Sequence, residues 1–212
     1  AAANWSRYRH SGKPGHGARP HEAVDAGLAA AAAVVNLQSI ASREFPASDP
    51  IVITVGHIQC GTRFNVIASE AMFEGTMRCY DVDQFLRDIP QAMHRVVEQT
   101  AAAYRCQVTE KYVYDAMLPC SNPEKASARA TATVKKLLGE AGVGSIAPMT
   151  GGEDFSYMMQ QVPDSLLAFV GIGDPEKGTD EPHHSGRFQL DEDCLQNAAA
   201  FYAQYALDYL SE

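Results

Sequence analysis

The sequence predicts an α/β chain in two parts: an antiparallel sheet covered on one face by two helices, then a helix-rich remainder with one apolar strand. Three observations carry this. In the first half apolar residues alternate with polar ones in short runs, they recur at helical spacing in two longer runs, and glycine, proline or aspartate falls at the breaks. After "LPCSNPE" the alternation gives way to helical stretches separated by glycine-rich turns.

Taken in order, Trp5 to Ser11 is too short and polar to assign by itself. Asp25 can cap a helix that runs to about Ser42, with Leu28, Ala32, Val35 and Ile40 near one face and Pro46 beyond its end. Ile51 to Ile58 is β-branched and alternating, as a half-buried strand should be. "QCGTRFN" turns the chain, and Ala71 to Tyr80 alternates back. Asp81 or Asp83 can cap a second helix containing Phe85, Ile89, Met93, Val97 and Tyr104. Pro90 lacks an N–H, so the helix should kink there or restart with Asp88 as its cap. Val108 to Met117 is a further strand. This βαββαβ order implies the ferredoxin-like split arrangement, with one sheet face uncovered and edge strands free to pair with another copy.

The second half offers a helix from Pro123 to about Leu138, ended by Gly139 and Gly142, then "MTGGEDFSYMMQQVP". An apolar strand from Ser165 to Ile172, a long turn and a helix from about Asp191 to Leu210 complete it. One clear strand cannot make a two-layer domain unaided, so this half reads as incomplete.

Composition excludes several classes. Among 212 residues, 46% are apolar and 20% charged, which is globular and neither collagen-like nor disordered. A net charge of -9 repels phosphate backbones and anionic membranes, and no basic patch offsets it, so neither nucleic acid nor membrane is an expected partner. The longest apolar run, Ala26 to Val35, is half the roughly 20 residues that a membrane span needs. Five scattered cysteines form no CxxC pair and suggest a reducing, cytoplasmic home.

Four clusters could carry chemistry. In "GKPGHGARPH" His16 stands between glycines, with room to meet a ligand, although a plain Gly/Pro turn explains the same residues. Asn65 in "CGTRFN" could offer an amide to a carboxylate or bond its own turn. Gly151 and Gly152, followed by Glu153 and Asp154, could bind an oxygen through backbone N–H groups, or the acids could simply answer a helix dipole. His183 and His184, near Glu181, follow the apolar strand and could ligate a metal or stand solvated. No H-x-D, H-E-x-x-H, adjacent Glu-Glu pair, P-loop or G-x-S-x-G occurs.

Together, "GKPGHGARPHEAVDAG", "LQSIASREFPASDPIVITVGHIQCGTRFNVIASEAMFEGTMR", "GGEDFSYMMQQVP" and "HHSGRFQLDEDCL" resemble the metal-dependent amidohydrolases that include aminoacylase, hippurate hydrolase and the auxin-conjugate hydrolases. The resemblance covers nearly the whole chain and keeps the order of the motifs. It implies that residues 1–117 are a ferredoxin-like dimerisation lid and residues 118–212 the C-terminal part of an α/β metallopeptidase catalytic domain. It further implies a homodimer, two divalent metal ions (Zn, or Mn, Co or Ni) and an N-acyl or N-aroyl amino acid as substrate.

Residue by residue, His16 matches a lid histidine that reaches across the dimer to stabilise the oxyanion, and Asn65 matches a lid asparagine that contacts substrate. Arg78, in "GTMR", matches an arginine near that surface. Gly151, Gly152 and Glu153 match a loop lining the substrate pocket, and His184 matches the final metal ligand, with His183 as the register alternative. The family's other ligands and its glutamate base lie upstream of the lid, in motifs that this sequence does not contain. A fragment or processed piece, a separate N-terminal catalytic polypeptide, or a non-catalytic dimerisation module would each account for that.

Overall fold

The computed structural model describes residues 1–113 and 117–212. It forms two compact units, residues 1–121 with 148–157, and residues 122–147 with 158–212.

The first unit opens with β1 (Ala3–Ser11), a two-residue strand β2 (Gly15–His16) and helix α1 (Ala26–Ser39). Strand β3 (Val52–Cys60), the two-residue β4 (Val66–Ile67) and β5 (Glu70–Arg78) follow, then α2 (Ile89–Ala103) and β6 (Gln107–Met117). Four strands make one sheet in the order β3-β5-β1-β6, and every neighbouring pair is antiparallel. Strand β1, too short and polar to assign by itself, is therefore central. Its period-2 signal is masked because its inner face is polar: Asn4, Ser6, Tyr8 and His10 are all buried. Three of them find partners. Asn4 accepts the Met77 N–H at 2.9 Å, Ser6 reaches the Gly75 carbonyl at 3.5 Å, and the Tyr8 hydroxyl meets His94 Nδ1 at 2.9 Å.

Asp25 caps α1, as expected, by accepting the Leu28 N–H at 3.0 Å. The buried stripe is not the expected one, however. Ala26, Ala29, Ala30, Ala33, Leu37 and Ile40 face the core, while Leu28 and Val35 are 54% and 71% exposed. Small alanine side chains let the helix lie close to the sheet, so size there mattered more than hydrophobicity. The helix continues through a wide π-helical turn, Ile40–Glu44, close to the predicted end.

Asp81 caps the second helical stretch by accepting the Gln84 N–H at 2.8 Å. Asp88 instead pairs with Arg87, so the expected restart cap is absent. A π-helical turn, Gln84–Asp88, precedes Pro90, which sits in the first turn of α2. The wider turn accommodates a residue that cannot donate a helical hydrogen bond. Phe85, Ile89, Met93 and Val97 are buried as predicted, whereas Tyr104, past the helix end, is 37% exposed.

The second unit contains α3 (Glu124–Leu138) and α5 (Cys194–Leu210), and the short α4 (Phe155–Gln161) begins in the first unit and ends in the second. Gly139, at φ +74°, ends α3. Arg129, on α3, is 7% exposed. It bonds Glu212 at 2.7 and 2.8 Å and Asp164 at 3.1 Å, and lies over the rings of Tyr205 and Tyr209. This hub ties α3 to α5. The expected strand Ser165 to Ile172 has no ladder among the described residues and carries no regular secondary structure. Apolar β-branched composition supplies propensity only; a strand needs a neighbour to pair with. Among the described residues no helix is long and apolar enough to cross a membrane.

Candidate functional site

Strands β2 and β4 pair in antiparallel fashion, with Gly15 opposite Ile67 and His16 opposite Val66. The Gly17 N–H donates to the Asn65 carbonyl at 2.9 Å and extends this short ladder. Two residues singled out from distant parts of the sequence thus lie one register step apart on neighbouring strands. Both are exposed, and Phe64 next to Asn65 is wholly exposed.

Close backbone approaches hold the arm that carries His16. Lys13 and Val24 exchange two backbone hydrogen bonds at 2.9 Å each. A Cβ on Gly12 would lie 2.3 Å from the Val24 oxygen, and one on Gly15 would lie 2.7 Å from the Ala23 Cβ. Glycine is required at both points because any side chain collides with a neighbour. The arm then turns: the Arg19 N–H donates to the His16 carbonyl at 2.8 Å, and the Ala18 N–H donates to His16 Nδ1 at 3.1 Å. Beside it an open cavity of about 400 Å³ is lined by Pro14, Cys60, Val66 and Ile67, with Arg9 and Glu70 at its polar side. Arg9 is paired with Glu110 at 3.2 Å.

Arg78 lies elsewhere. It ends β5, whose start at Glu70 adjoins the β4 arm. Eight residue steps of a strand span roughly 27 Å, so Arg78 is at the opposite end of the sheet from His16 and Asn65. There its guanidinium donates to the Thr150 carbonyl at 2.7 Å, and the Tyr80 hydroxyl donates to the Met149 carbonyl. The "TGGEDF" loop is thereby fastened to the end of the sheet. A Cβ on Gly152 would sit 2.6 Å from the Met117 sulfur and 3.1 Å from the Ala3 Cβ. Glu153 accepts the Phe155 N–H at 3.3 Å as α4 begins, so its carboxylate turns to its own helix. Arg78, Gly151, Gly152 and Glu153 therefore form a second group, separate from the first.

In the second unit, Pro182 to Ser185 is a β-turn closed by the Ser185 N–H to the Pro182 carbonyl at 3.2 Å. His184 occupies its third position with φ +67°, a left-handed conformation that glycine normally fills. His183 packs edge-on against Phe188, with ring centroids 5.0 Å apart. Among the described residues His184 makes no such ring contact, and it is exposed. Glu181 is engaged by Arg187 at 2.7 Å and by the Ser185 hydroxyl at 3.3 Å. Among the described residues, no three His, Cys, Asp or Glu side chains converge as metal ligands. The described residues do not by themselves form a complete metal centre; His184 could supply one ligand to a centre completed by others.

Sequence reasoning missed the Ala18 amide and the Arg78–Thr150 clasp. Neither has a signature in residue type, since one partner in each is a backbone group that any residue carries. It also gave no hint of the buried His10, whose two ring nitrogens have no hydrogen-bond partner among the described residues. Burial holds that imidazole in its neutral form, below the usual histidine range.

A model of "Peptidase family M20/M25/M40" matches residues 15–208. The chain is 31% identical over 205 residues to an IAA-amino acid hydrolase ILR1-like 2 of Arabidopsis thaliana, covering 95% of this chain and 46% of that protein. It is 32% identical over 196 residues to an N-acetylcysteine deacetylase of Bacillus subtilis (strain 168), covering 92% and 49%. Among solved structures, the Bacillus subtilis YXEP protein, described as a dinuclear metal binding peptidase from the M20 family, superposes with a TM-score of 0.73 at 23% identity, covering 100% of this chain and 51% of that one. An aminopeptidase PepT from Bacillus cereus superposes with a TM-score of 0.77 at 15% identity, covering 100% and 52%. These two likenesses establish the mixed α/β fold. The chain spans about half the length of the curated relatives it matches.

Proposed function

This chain belongs to peptidase family M20/M25/M40, and on that premise we propose that it forms the lid and the C-terminal catalytic portion of a metal-dependent amidohydrolase. The reaction is cleavage of the amide bond of an N-acyl or N-aroyl amino acid, releasing a carboxylate and the free amino acid. Curated relatives named for IAA-amino acid hydrolysis and N-acetylcysteine deacetylation support this substrate class.

One observation carries the reading: His16 and Asn65 lie one register step apart on an exposed arm, separated by the roughly 27 Å length of β5 from the Arg78 and Gly151 group of the same protomer. A substrate the size of an acyl amino acid cannot bridge that span. The two groups can serve one substrate only if the arm comes from a second copy. We therefore assign residues 1–117 as a ferredoxin-like dimerisation lid, consistent with the βαββαβ order and the β3-β5-β1-β6 sheet. Residues 118–212 are assigned to the catalytic domain. The edge strand β3, with Val52 and Ile58 exposed, and Leu28 and Val35 on α1 provide an apolar surface for a homodimer.

In this scheme the His16 imidazole of one protomer donates a hydrogen bond to the oxyanion formed at the partner's scissile carbonyl. The Asn65 amide orients the substrate, and Arg78, Gly151, Gly152 and Glu153 line the far side of the pocket. Two divalent ions, Zn or Mn, Co or Ni, would supply Lewis acidity in the complete enzyme, with His184 as one ligand and the remaining ligands from an N-terminal catalytic portion.

The test is hybrid-dimer complementation in a complete enzyme. His16→Ala alone should lower kcat by about 10²- to 10³-fold with little change in KM, and His184→Ala should abolish metal-dependent turnover. Mixing the two variants should restore activity, because a hybrid dimer holds one site with both residues intact. No restoration would place His16 in its own protomer's site, and an unchanged kcat for His16→Ala would remove its role. The alternative reading, a ferredoxin-like assembly module without catalysis, predicts dimerisation with neither metal uptake nor turnover.

A further inference from the structure

The Ala18 amide does more than close a turn. Its N–H lies 3.1 Å from His16 Nδ1, and an amide nitrogen can only donate. Nδ1 must therefore present a lone pair, and a neutral imidazole with a bare Nδ1 carries its hydrogen on Nε2. We infer that the Ala18 backbone N–H sets His16 in the Nε2–H tautomer, so that its single donor points away from the arm and toward a substrate oxygen. This rests on the oxyanion role proposed above and adds to it the group that orients the ring.

The surroundings hold this arrangement in place. The Gly17 N–H is fastened to the Asn65 carbonyl at 2.9 Å and the Arg19 N–H to the His16 carbonyl at 2.8 Å, so the amide between them has little freedom to swing away. A Cβ on Gly17 would approach the Asn65 oxygen to 3.2 Å, tight enough to loosen the pairing. Among the described residues His16 Nε2 has no hydrogen-bond partner, which leaves that edge of the ring available. The opposite tautomer would set an Nδ1–H against the Ala18 N–H and leave the outward nitrogen with no hydrogen to donate. It would be useless to an anion. Ala18 is thus a positioning residue, acting through its backbone and not its methyl group.

The experiment reads the tautomer directly, by nitrogen-15 chemical shifts of His16 in the 212-residue chain at a pH where its imidazole is neutral. The expected pattern is a protonated Nε2 and a bare, hydrogen-bonded Nδ1. Ala18→Gly, which keeps the N–H, should preserve it. Replacing Ala18 by lactic acid, which exchanges the N–H for an ester oxygen with little change of shape, should release the ring to the mixture of tautomers shown by an unconstrained imidazole. In a complete enzyme the same ester should lower kcat with KM nearly unchanged. A protonated Nδ1 in the parent chain, identical shifts in the ester, or a shifted tautomer with unaltered kcat would each overturn the inference. Failure of the oxyanion role itself registers separately, as a His16→Ala enzyme with normal turnover.

Discussion

Asn122 and Leu167 are joined as two strands would be. The side-chain amide of Asn122 donates to the Leu167 carbonyl at 2.8 Å and accepts the Leu167 N–H at 2.9 Å. One side chain thus satisfies both backbone groups of a residue in the apolar stretch that sequence read as a strand. Asn122→Ala should therefore speed hydrogen exchange at the Leu167 amide and lower stability by about 1 kcal/mol, the net worth of such exposed bonds. Asn122→Asp, which keeps only the acceptor, should fall between. An unaltered exchange rate would count against the pairing.

The arm bearing His16 depends on Gly12 more than on Gly17. A methyl group on Gly12 would meet the Val24 carbonyl oxygen at 2.3 Å, where backbone must move, against 3.2 Å to the Asn65 oxygen for Gly17. Gly12→Ala should destabilise the chain by about 1–3 kcal/mol, and Gly17→Ala by less. Urea unfolding of the two variants side by side checks the order.

His184 holds a left-handed conformation that costs a residue with a Cβ about 1–2 kcal/mol, while glycine adds about 0.5–1 kcal/mol of chain entropy. His184→Gly should leave stability unchanged or raise it by up to about 1 kcal/mol, although it deletes the proposed ligand. Metal content of a complete enzyme should fall at the same time. A variant that unfolds would show that the histidine is structural.

Acid should weaken the first unit through His10. Its folded-state affinity for protons is lowered by burial, so protons prefer the unfolded chain. The contribution is intact above the ordinary histidine range near 6.5 and is lost progressively as pH falls below it, by at most about 1.4 kcal/mol per pH unit for one group. His94, also lowered by burial and then by Lys111, acts in the same direction. Urea midpoints at pH 7.5 and 5.5 should differ less in His10→Met than in the parent chain. An equal difference would exclude His10 as a source.

Much of the fold was legible because neighbours along the chain decide it. The Asp25 and Asp81 caps, the alternation in β3, β5 and β6, and the glycine that ends α3 each act over a few residues, and each is where the sequence placed it. Central β1 was harder to read, since its inward positions hold Asn4, which accepts from the Met77 N–H, and Tyr8, which bonds His94, where alternation would show apolar residues. The face of α1 was misread because hydrophobicity favours Leu28 and Val35, while the close approach to the sheet favours alanine. The stretch after Ser165 carried strand propensity without a partner strand among the described residues.

The same division holds for chemistry. Residue types together with the family resemblance of the motifs singled out His16, Asn65, Arg78, Gly151, Gly152, Glu153 and His184. Tertiary structure decided which of these stand together: His16 with Asn65, and Arg78 with the glycine loop at the other end of β5. It also decided which ring nitrogen of His16 faces a backbone N–H. The reason is physical. Propensity and motif are properties of adjacent side chains, whereas distance between strand ends and the aim of a backbone N–H exist only after the chain has closed on itself.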